Sequence, residues 1–362
     1  MRHHQAGIGN GNALRLGIFG ANCSSGRTYA ILPERWQASW ENNLKLAQLA
    51  DAIGIECMIP IARWKGYGGE SNPNGSSFES IAWACGLLAA TQRISVFCTV
   101  HVPLHHPVAA AKQMATTDHI GHGRLGVNIV CGWNEDEFQM FGMSPHEHAE
   151  RYAQGEEWWS IVKRIWAGEA PFDYEGTYYQ LRGVQGLPRP YGTDDPLMMN
   201  AGSSPAGRQF AIRHSDMHFD SVDTLEASLD RIAETKQQAI DNGIWKSVGW
   251  WYQNLAQFTL DWEFPNLSPE ERDATFPLLN PLMEGNVPID HFDKADMIVV
   301  GDPDECLTKM KHYADLGVDQ LICYVQFGYH SNESVLKTIE LLGKEVIPEL
   351  EKYKPKKSQY TA

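Results

Sequence analysis

The sequence predicts an α/β protein folded as a (β/α)8 TIM barrel with insertions, and three observations carry that expectation. Strand-like and helix-like stretches alternate from Leu14 onward, the strand-like ones are unbroken apolar runs, and about eight such units fit in 362 residues. Unbroken apolar strands belong to parallel sheets covered by helices, and that number of units in a chain of this length favours closure. A G-x-G-x-x-G after the first strand would favour an open sheet, but only Gly17 and Gly20 stand there.

Leu14-Arg-Leu-Gly-Ile-Phe19 makes the first strand, followed by a polar loop through Asn22, Cys23 and Ser24. Leu46, Leu49, Ala50 and Ile53 share one face of a helix that begins at Trp40 and stops at Gly54. Glu56 to Ile61 is the second strand and opens into Ala62-Arg-Trp-Lys-Gly-Tyr-Gly-Gly69, a basic, glycine-rich loop. A helix over 78–91, a strand over 94–100, a helix over 108–120, a strand over 124–130 and an aromatic helix over 150–166 follow. Residues 168–190, with Tyr178, Tyr179 and several Pro and Gly, form an excursion before a strand at 196–201. Gly202-Ser-Ser-Pro-Ala-Gly207 opens the next helix, and a strand over 216–222 precedes one that reaches Gly243. The segment 244–296, rich in Trp, Pro and Asn, reads as one strand (247–251 or 256–260) plus a large insertion. Met297-Ile-Val-Val300 is a further strand, after which Asp302, Pro303 and Glu305 spell a capped helix start. Gly317 ends that helix, 320–327 is the last strand, and Val335, Ile339, Leu342 and Val346 mark the last helix. With no repeat and no break in composition, 1–362 reads as a single domain with a short C-terminal tail.

Thirty Lys and Arg against 45 Asp and Glu give a formal net charge of −15. That argues against unaided binding to nucleic acid or to an anionic membrane surface. No run of 18 apolar residues suggests a membrane span, and Met1-Arg-His-His lacks the apolar core of a secretory signal. Seven scattered cysteines without a Cys-x-x-Cys pair read as thiols of a reducing cytoplasm, the expected location.

Candidate chemistry gathers at the predicted strand ends, where barrels of this kind place their sites. Asn128 sits inside the apolar run Leu125–Val130, and Thr99 near the end of Ile94–Val100. A buried amide without a partner costs about 1–3 kcal/mol, so Asn128 either bonds a neighbouring loop or faces a ligand. Gly202-Ser203-Ser204 before a helix is either a plain turn or an anion site at the helix N-terminus. Arg151 and Tyr152 offer a cation and a phenol, or else a solvated arginine and a core tyrosine; Arg63 is similarly open. His101, His105 and His106, and separately His146 and His148, cluster without a carboxylate at metal-ligand spacing, so no metal is expected. Neither a G-x-S-x-G elbow nor a Walker loop is present.

Taken jointly, several blocks carry a family resemblance. Thr91-Gln-Arg-Ile94, Ala115-Thr-Thr-Asp118, Gly123-Arg-Leu-Gly-Val-Asn-Ile-Val-Cys-Gly-Trp133, Glu137 and Glu150-Arg-Tyr152 are the first of them. Asn200-Ala-Gly-Ser-Ser204, Gly301-Asp-Pro303 and Ala314-Asp-Leu-Gly-Val-Asp319 complete the set. The chain, except roughly 244–296, thereby resembles the bacterial luciferase-like FMN-dependent monooxygenases, most of all the pyrimidine and dimethylsulfone monooxygenase branch. The resemblance implies a luciferase-like TIM barrel, reduced FMN and O2 as cofactor and co-substrate, a separate NAD(P)H-dependent flavin reductase, and a homo-oligomer (dimer or tetramer). It implies Ala62 and Arg63 beside the isoalloxazine ring, Asn128 at its edge and Glu137 near the ring or ribityl chain. Arg151, Tyr152 and Ser204 would hold the phosphate, with Gly202 and Ser203 completing that site. Thr99 and Asn128, 29 residues apart, match the catalytic positions around flavin N5 in that branch, which implies an N5-oxygen adduct.

Substrate class rests on the aromatic residues. Ile59, Ile61, Trp64, Trp133 and Trp250 are the expected pocket, with Phe19, Trp36 and Tyr67 nearby. A flat aromatic wall suits a planar heteroaromatic compound such as a pyridinium or pyrimidine, although each residue alone is also ordinary core. The alternatives are a sulfone or sulfonate monooxygenase, an F420-dependent oxidoreductase, or a non-catalytic flavin-binding barrel.

Overall fold

Alternation with a period of two organises the sheet. Leu16 and Ile18 of β1 (Arg15–Phe19) pack outward against helices, whereas Gly17 and Phe19 face the barrel interior. The computed structural model describes residues 14–24, 35–68, 72–144, 147–192, 195–222, 249–254, 299, 301–326 and 331–356, with only the backbone described at 220–222 and 249–254. β2 (Cys57–Ile59), β3 (Ser95–His101) and β4 (Leu125–Val130) continue the sheet. A small antiparallel hairpin of β5 (Phe172–Glu175) and β6 (Gln180–Val184) stands apart from it. β7 (Leu197–Asn200), β8 (Met217–Val222), β9 (Gly249–Asn254) and β10 (Gln320–Cys323) complete it. Eight strands pair in the circular order β1-β10-β9-β8-β7-β4-β3-β2, and all these pairings are parallel.

Around the sheet run α1 (Trp40–Ile53), α2 (Ser80–Ala89), α3 (Pro107–Ile120), α4 (Glu135–Met140), α5 (His148–Ala167) and α6 (Pro205–His214). α7 (Pro303–Asp315), α8 (Asn332–Leu341) and α9 (Ile347–Lys352) follow. No described helix is long and apolar enough to cross a membrane. Two apolar clusters result. The outer one packs Met58, Val96, Val100, Val127 and Ile129 against Trp83, Met114 and Trp158. The inner one fills the barrel with Cys57, Ile59, Phe97, Met199, Phe219 and Ile322. Gly126 is required there, because a Cβ would lie 2.4 Å from the Phe97 ring.

Several expectations need correction. β2 stops at Ile59, two residues early, because Pro60 has no N–H to continue the ladder. β10 likewise stops at Cys323. The excursion at 168–190 contains the β5–β6 hairpin, strapped to α5 by Glu157, which accepts the amides of Thr177 (2.7 Å), Tyr178 (3.0 Å) and Tyr179 (3.2 Å). α4 was not expected; Asn134 caps it. β9 overlaps the first of the two strand placements in 244–296, and most of that segment lies outside the described residues, as does the helix reaching Gly243. Of the expected strand at 297–300 only Val299 is described, and it is not in a strand.

Asp118 ties the barrel together at the end away from the strand C-termini. Its carboxylate accepts the amides of Leu125 (3.3 Å) and Tyr191 (2.9 Å), and burial pushes its pKa up to about 6. Between about pH 4 and 6 the folded state therefore binds this proton more tightly than the unfolded chain, so rising pH lowers stability. Asp118→Asn removes that dependence. The wild-type advantage over this variant in urea denaturation should be smaller at pH 7 than at pH 4.5; a constant or growing advantage would contradict the assignment.

Candidate functional site

Parity places Thr99 and Asn128 inside the barrel. Thr99 shares the face of Phe97, Asn128 that of Gly126, and the two residues pair directly across β3 and β4. Each is 5% exposed. Asn128 Nδ2 donates to Thr99 Oγ1 (3.2 Å), and Thr99 Oγ1 donates to the Pro60 carbonyl (2.8 Å). Ser80 fixes the Thr99 backbone by donating to its carbonyl (2.6 Å). Asn128 Oδ1 is buried without a hydrogen-bond partner.

Beside this pair, at the same barrel mouth, lies a buried ionic cluster. Glu137, 2% exposed on α4, accepts the amide of Trp64 at Oε1 (2.8 Å) and holds Arg63 Nη1 at 3.5 Å. Its Oε2 has no hydrogen-bond partner, and His101 Nδ1 stands 3.8 Å away. Burial, and then the Arg63 charge, lower the His101 pKa to about 3, so the imidazole is neutral. Arg63 Nη2 donates to the Tyr67 hydroxyl (2.7 Å), and the guanidinium lies between the Tyr67 and Trp133 rings, 5.0 and 4.7 Å from their centroids. Asn22 pins the exit of β2 to the loop after β1 through the Ile61 amide (2.9 Å) and carbonyl (2.7 Å).

The third component is the N-terminus of α6. Asn200 bridges the Ile129 carbonyl (2.7 Å) and the Gly202 amide (2.9 Å), which fixes the turn leaving β7. Ser204 caps the helix by accepting the Gly207 amide (3.1 Å), with Pro205 in the first turn. The Tyr152 hydroxyl closes over this turn: a Cβ on Gly202 or Gly207 would lie 2.6 or 2.5 Å from it. Burial raises the Tyr152 pKa, against a hydrogen bond with Ser204, so the phenol stays protonated. Helix amides, the Ser204 hydroxyl and the Tyr152 phenol have the chemistry to receive an anion.

The structure brings together most of the residues singled out from sequence, but not all. Thr99, Asn128, Arg63 and Glu137 gather at one mouth, and Tyr152, Gly202 and Ser204 at the platform. Arg151 instead donates to the Gly132 carbonyl (2.7 Å) at the exit of β4. Ile59 faces the interior, Ile61 is held by Asn22, and Trp64 meets Phe141 edge-on at 5.1 Å. Trp36 is not part of a mouth wall: it is 1% exposed in the outer core, its indole N–H satisfied by the Ala21 carbonyl. Trp250 lies on β9 in register with His218, its side chain outside the described set. Cys131 is buried, and burial pushes its thiol up to about 12, which disfavours the thiolate. Among the described residues no three His, Cys, Asp or Glu side chains converge as a metal would need. In the sequence, His101 stands out only as part of a histidine cluster and Asn22 only as a loop residue, and Ser80 does not stand out.

A family model described as luciferase-like monooxygenase matches residues 14–244, more than half of the chain. The chain belongs to the luciferase-like monooxygenase family. Among members of this family it is 36% identical to the FMNH2-dependent dimethylsulfone monooxygenase of Pseudomonas fluorescens (strain Pf0-1) over 224 residues, 61% of this chain and 59% of that one. It is 28% identical to pyrimidine monooxygenase RutA of Acinetobacter baylyi over 212 residues, 57% of this chain and 56% of that one. The chain thus spans about three fifths of the length of these curated relatives. Riboflavin lyase (RcaE) shares the fold at a TM-score of 0.73 with 18% identity, over 96% of this chain and 94% of that one. DmoA from Hyphomicrobium sulfonivorans does so at 0.72 with 18% identity, over 95% and 91%.

Proposed function

We propose that this luciferase-like chain is the oxygenase component of a two-component monooxygenase. It would use reduced FMN and O2 to oxygenate a small planar heteroaromatic compound such as a pyridinium or pyrimidine, with FMN reduced by a separate NAD(P)H-dependent reductase. The observation that carries this reading is a pair of buried, unpartnered acceptors, Asn128 Oδ1 and Glu137 Oε2, at the mouth that also bears the α6 anion platform. Each such acceptor costs about 1–3 kcal/mol unless a ligand supplies a donor. A reduced flavin with its ring N–H groups, ribityl hydroxyls and phosphate has the matching chemistry.

Bound FMN supplies the oxygen-activating chemistry. The chain's own residues bind, orient and keep water out. Tyr152 and Ser204, with Gly202 and Ser203, would hold the phosphate, and Arg151 the neighbouring backbone. Ala62 and Arg63 would border the ring, and Glu137 would accept from the ring or ribityl chain. Thr99 and Asn128 would line the oxygen side. We also read 1–362 as one domain, a complete (β/α)8 barrel with an insertion in 244–296, working as a dimer or tetramer in the cytoplasm. A sulfone substrate is the second reading, favoured by the 36% identity to the dimethylsulfone monooxygenase.

Oxygen uptake by the purified protein with externally reduced FMN, across heterocycles and aliphatic sulfones, tests the whole reading. Substrate-dependent uptake is expected with a heterocycle, uptake with sulfones alone would favour the second reading, and none with either class would sink both. Ser204→Ala should weaken FMN binding by about tenfold, the cost of a helix cap and a phosphate contact. Riboflavin, which lacks the phosphate, should bind this variant and the wild type alike. Equal losses for both ligands would remove Ser204 from the phosphate site.

A further inference from the structure

His218 puts an imidazole on the outer face of the sheet, where Met198 of the neighbouring strand packs into the apolar core. Its chain neighbours Met217 and Phe219 face the barrel interior, so parity turns His218 outward. Its partner in register across β7 and β8 is Asn200, outward for the same reason beside the interior Met199. Both are nearly sealed from solvent, at 4% and 2% exposure. Polar groups buried there cost free energy unless they are bonded.

The turn that leaves β7 uses both of them. His218 Nε2 stands 3.2 Å from the Gly202 carbonyl, and because a carbonyl can only accept, this nitrogen carries a proton. Asn200 Oδ1 accepts the amide of the same glycine at 2.9 Å. Gly202 is thus held at its N–H and at its C=O. The consequence falls one residue on. In a trans peptide the C=O and the following N–H point in opposite directions, and the Gly202–Ser203 bond is trans. An oxygen held on the imidazole therefore turns the Ser203 amide away from His218. That amide has no acceptor among the described residues.

Glycine is needed at 202, since a Cβ would lie 2.6 Å from the Tyr152 hydroxyl. The same missing Cβ leaves the peptide easy to flip. Flipped, it would present its carbonyl oxygen where the Ser203 amide now stands, and an oxygen repels an anion. We propose that His218 is a positioning residue whose Nε2–H locks the Gly202–Ser203 peptide, so that an amide and not a carbonyl faces the phosphate of FMN. This rests on the phosphate reading of the α6 N-terminus above.

Titrations of the full chain with FMN and with riboflavin, followed by flavin fluorescence, test it. His218→Leu should weaken FMN by at least about tenfold and riboflavin by less than about twofold. His218→Gln carries an N–H that reaches the same carbonyl, and should restore FMN affinity to within about threefold of wild type. His218→Asn, whose shorter amide falls short of that carbonyl, should match the leucine variant and replaces it if leucine does not fold. Unchanged FMN affinity in these two variants overturns the role, as does a glutamine variant as weak as they are. Equal losses of both flavins overturn it as well, because damaged packing does not single out a phosphate. So does a wild type that binds FMN no better than riboflavin. Should the wild type bind neither flavin, calorimetric titration with inorganic phosphate decides. Phosphate binding that is weakened by His218→Leu and kept by His218→Gln retains the role and rejects the flavin reading; no phosphate binding overturns both.

Discussion

Thr99→Ala should lower turnover by roughly 10²–10³-fold, the usual loss when one positioned polar group is removed from a reacting centre. FMN affinity should stay within about twofold of wild type, a margin small beside the 1.4 kcal/mol of a tenfold change. Thr99 Oγ1 accepts from Asn128 Nδ2 and donates to the Pro60 carbonyl, so one hydroxyl sets both the amide orientation and the exit of β2. Removing it frees the Asn128 amide to turn and leaves a buried carbonyl without its donor. The platform of Tyr152 and Ser204 is built on α5 and the N-terminus of α6 and does not depend on this hydroxyl. Thr99→Ser keeps the hydroxyl and should retain most activity. The readout is rapid-mixing turnover with pre-reduced FMN, alongside flavin binding and oxygen consumed per product. Unchanged turnover in the alanine variant would remove Thr99 from the reacting centre; equal losses in both variants would make its role one of packing.

The Thr99–Asn128 pair was legible because its cost is local. A polar side chain in an apolar strand must be satisfied or used, and strand parity alone puts it inside the barrel. The α6 N-terminus was legible for the same kind of reason, since Ser204 and Pro205 write a helix start into adjacent residues. What escaped the sequence depends on contacts across the barrel. Glu137 meets the Trp64 amide 73 positions away, and Asn22 meets Ile61 39 positions away; neither pairing leaves a trace until the strands are ordered. Ser76 and Ser77, just before the expected helix, carried no reading, and only the fold brings them to the same cavity lining as Thr99. The tryptophans misled for a physical reason. An indole is large enough to serve core or mouth, and Trp36 went to the core because a carbonyl waited there for its N–H.

Some motif residues that carried the resemblance hold the fold rather than the chemistry, and Arg124 is the one whose loss should be most severe. It is 4% exposed at the start of β4. Its guanidinium donates to the Leu88 carbonyl (2.7 Å), the Ile94 carbonyl (2.9 Å), and the carbonyl (3.0 Å) and hydroxyl (3.1 Å) of Thr91. Those carbonyls lie at and just beyond the C-terminal end of α2, where the helix has no glycine cap and a cation is favoured by the dipole. Nearby Asp51 balances the charge while accepting the amides of Gln92 (3.0 Å), Arg93 (2.7 Å) and Ile94 (2.7 Å). Arg124→Met fills the volume but strips donors from several buried carbonyls. The expected loss is ~3–5 kcal/mol in urea denaturation. Arg124→Lys should recover only part of it, because one ammonium cannot reach carbonyls spread around a planar fork. FMN bound by whatever fraction stays folded should keep wild-type affinity, since Arg124 stands at the opposite end of β4 from the mouth. A loss below about 1 kcal/mol, the net worth of one ordinary hydrogen bond, would show that water replaces the guanidinium and that this end of the barrel is held by packing alone.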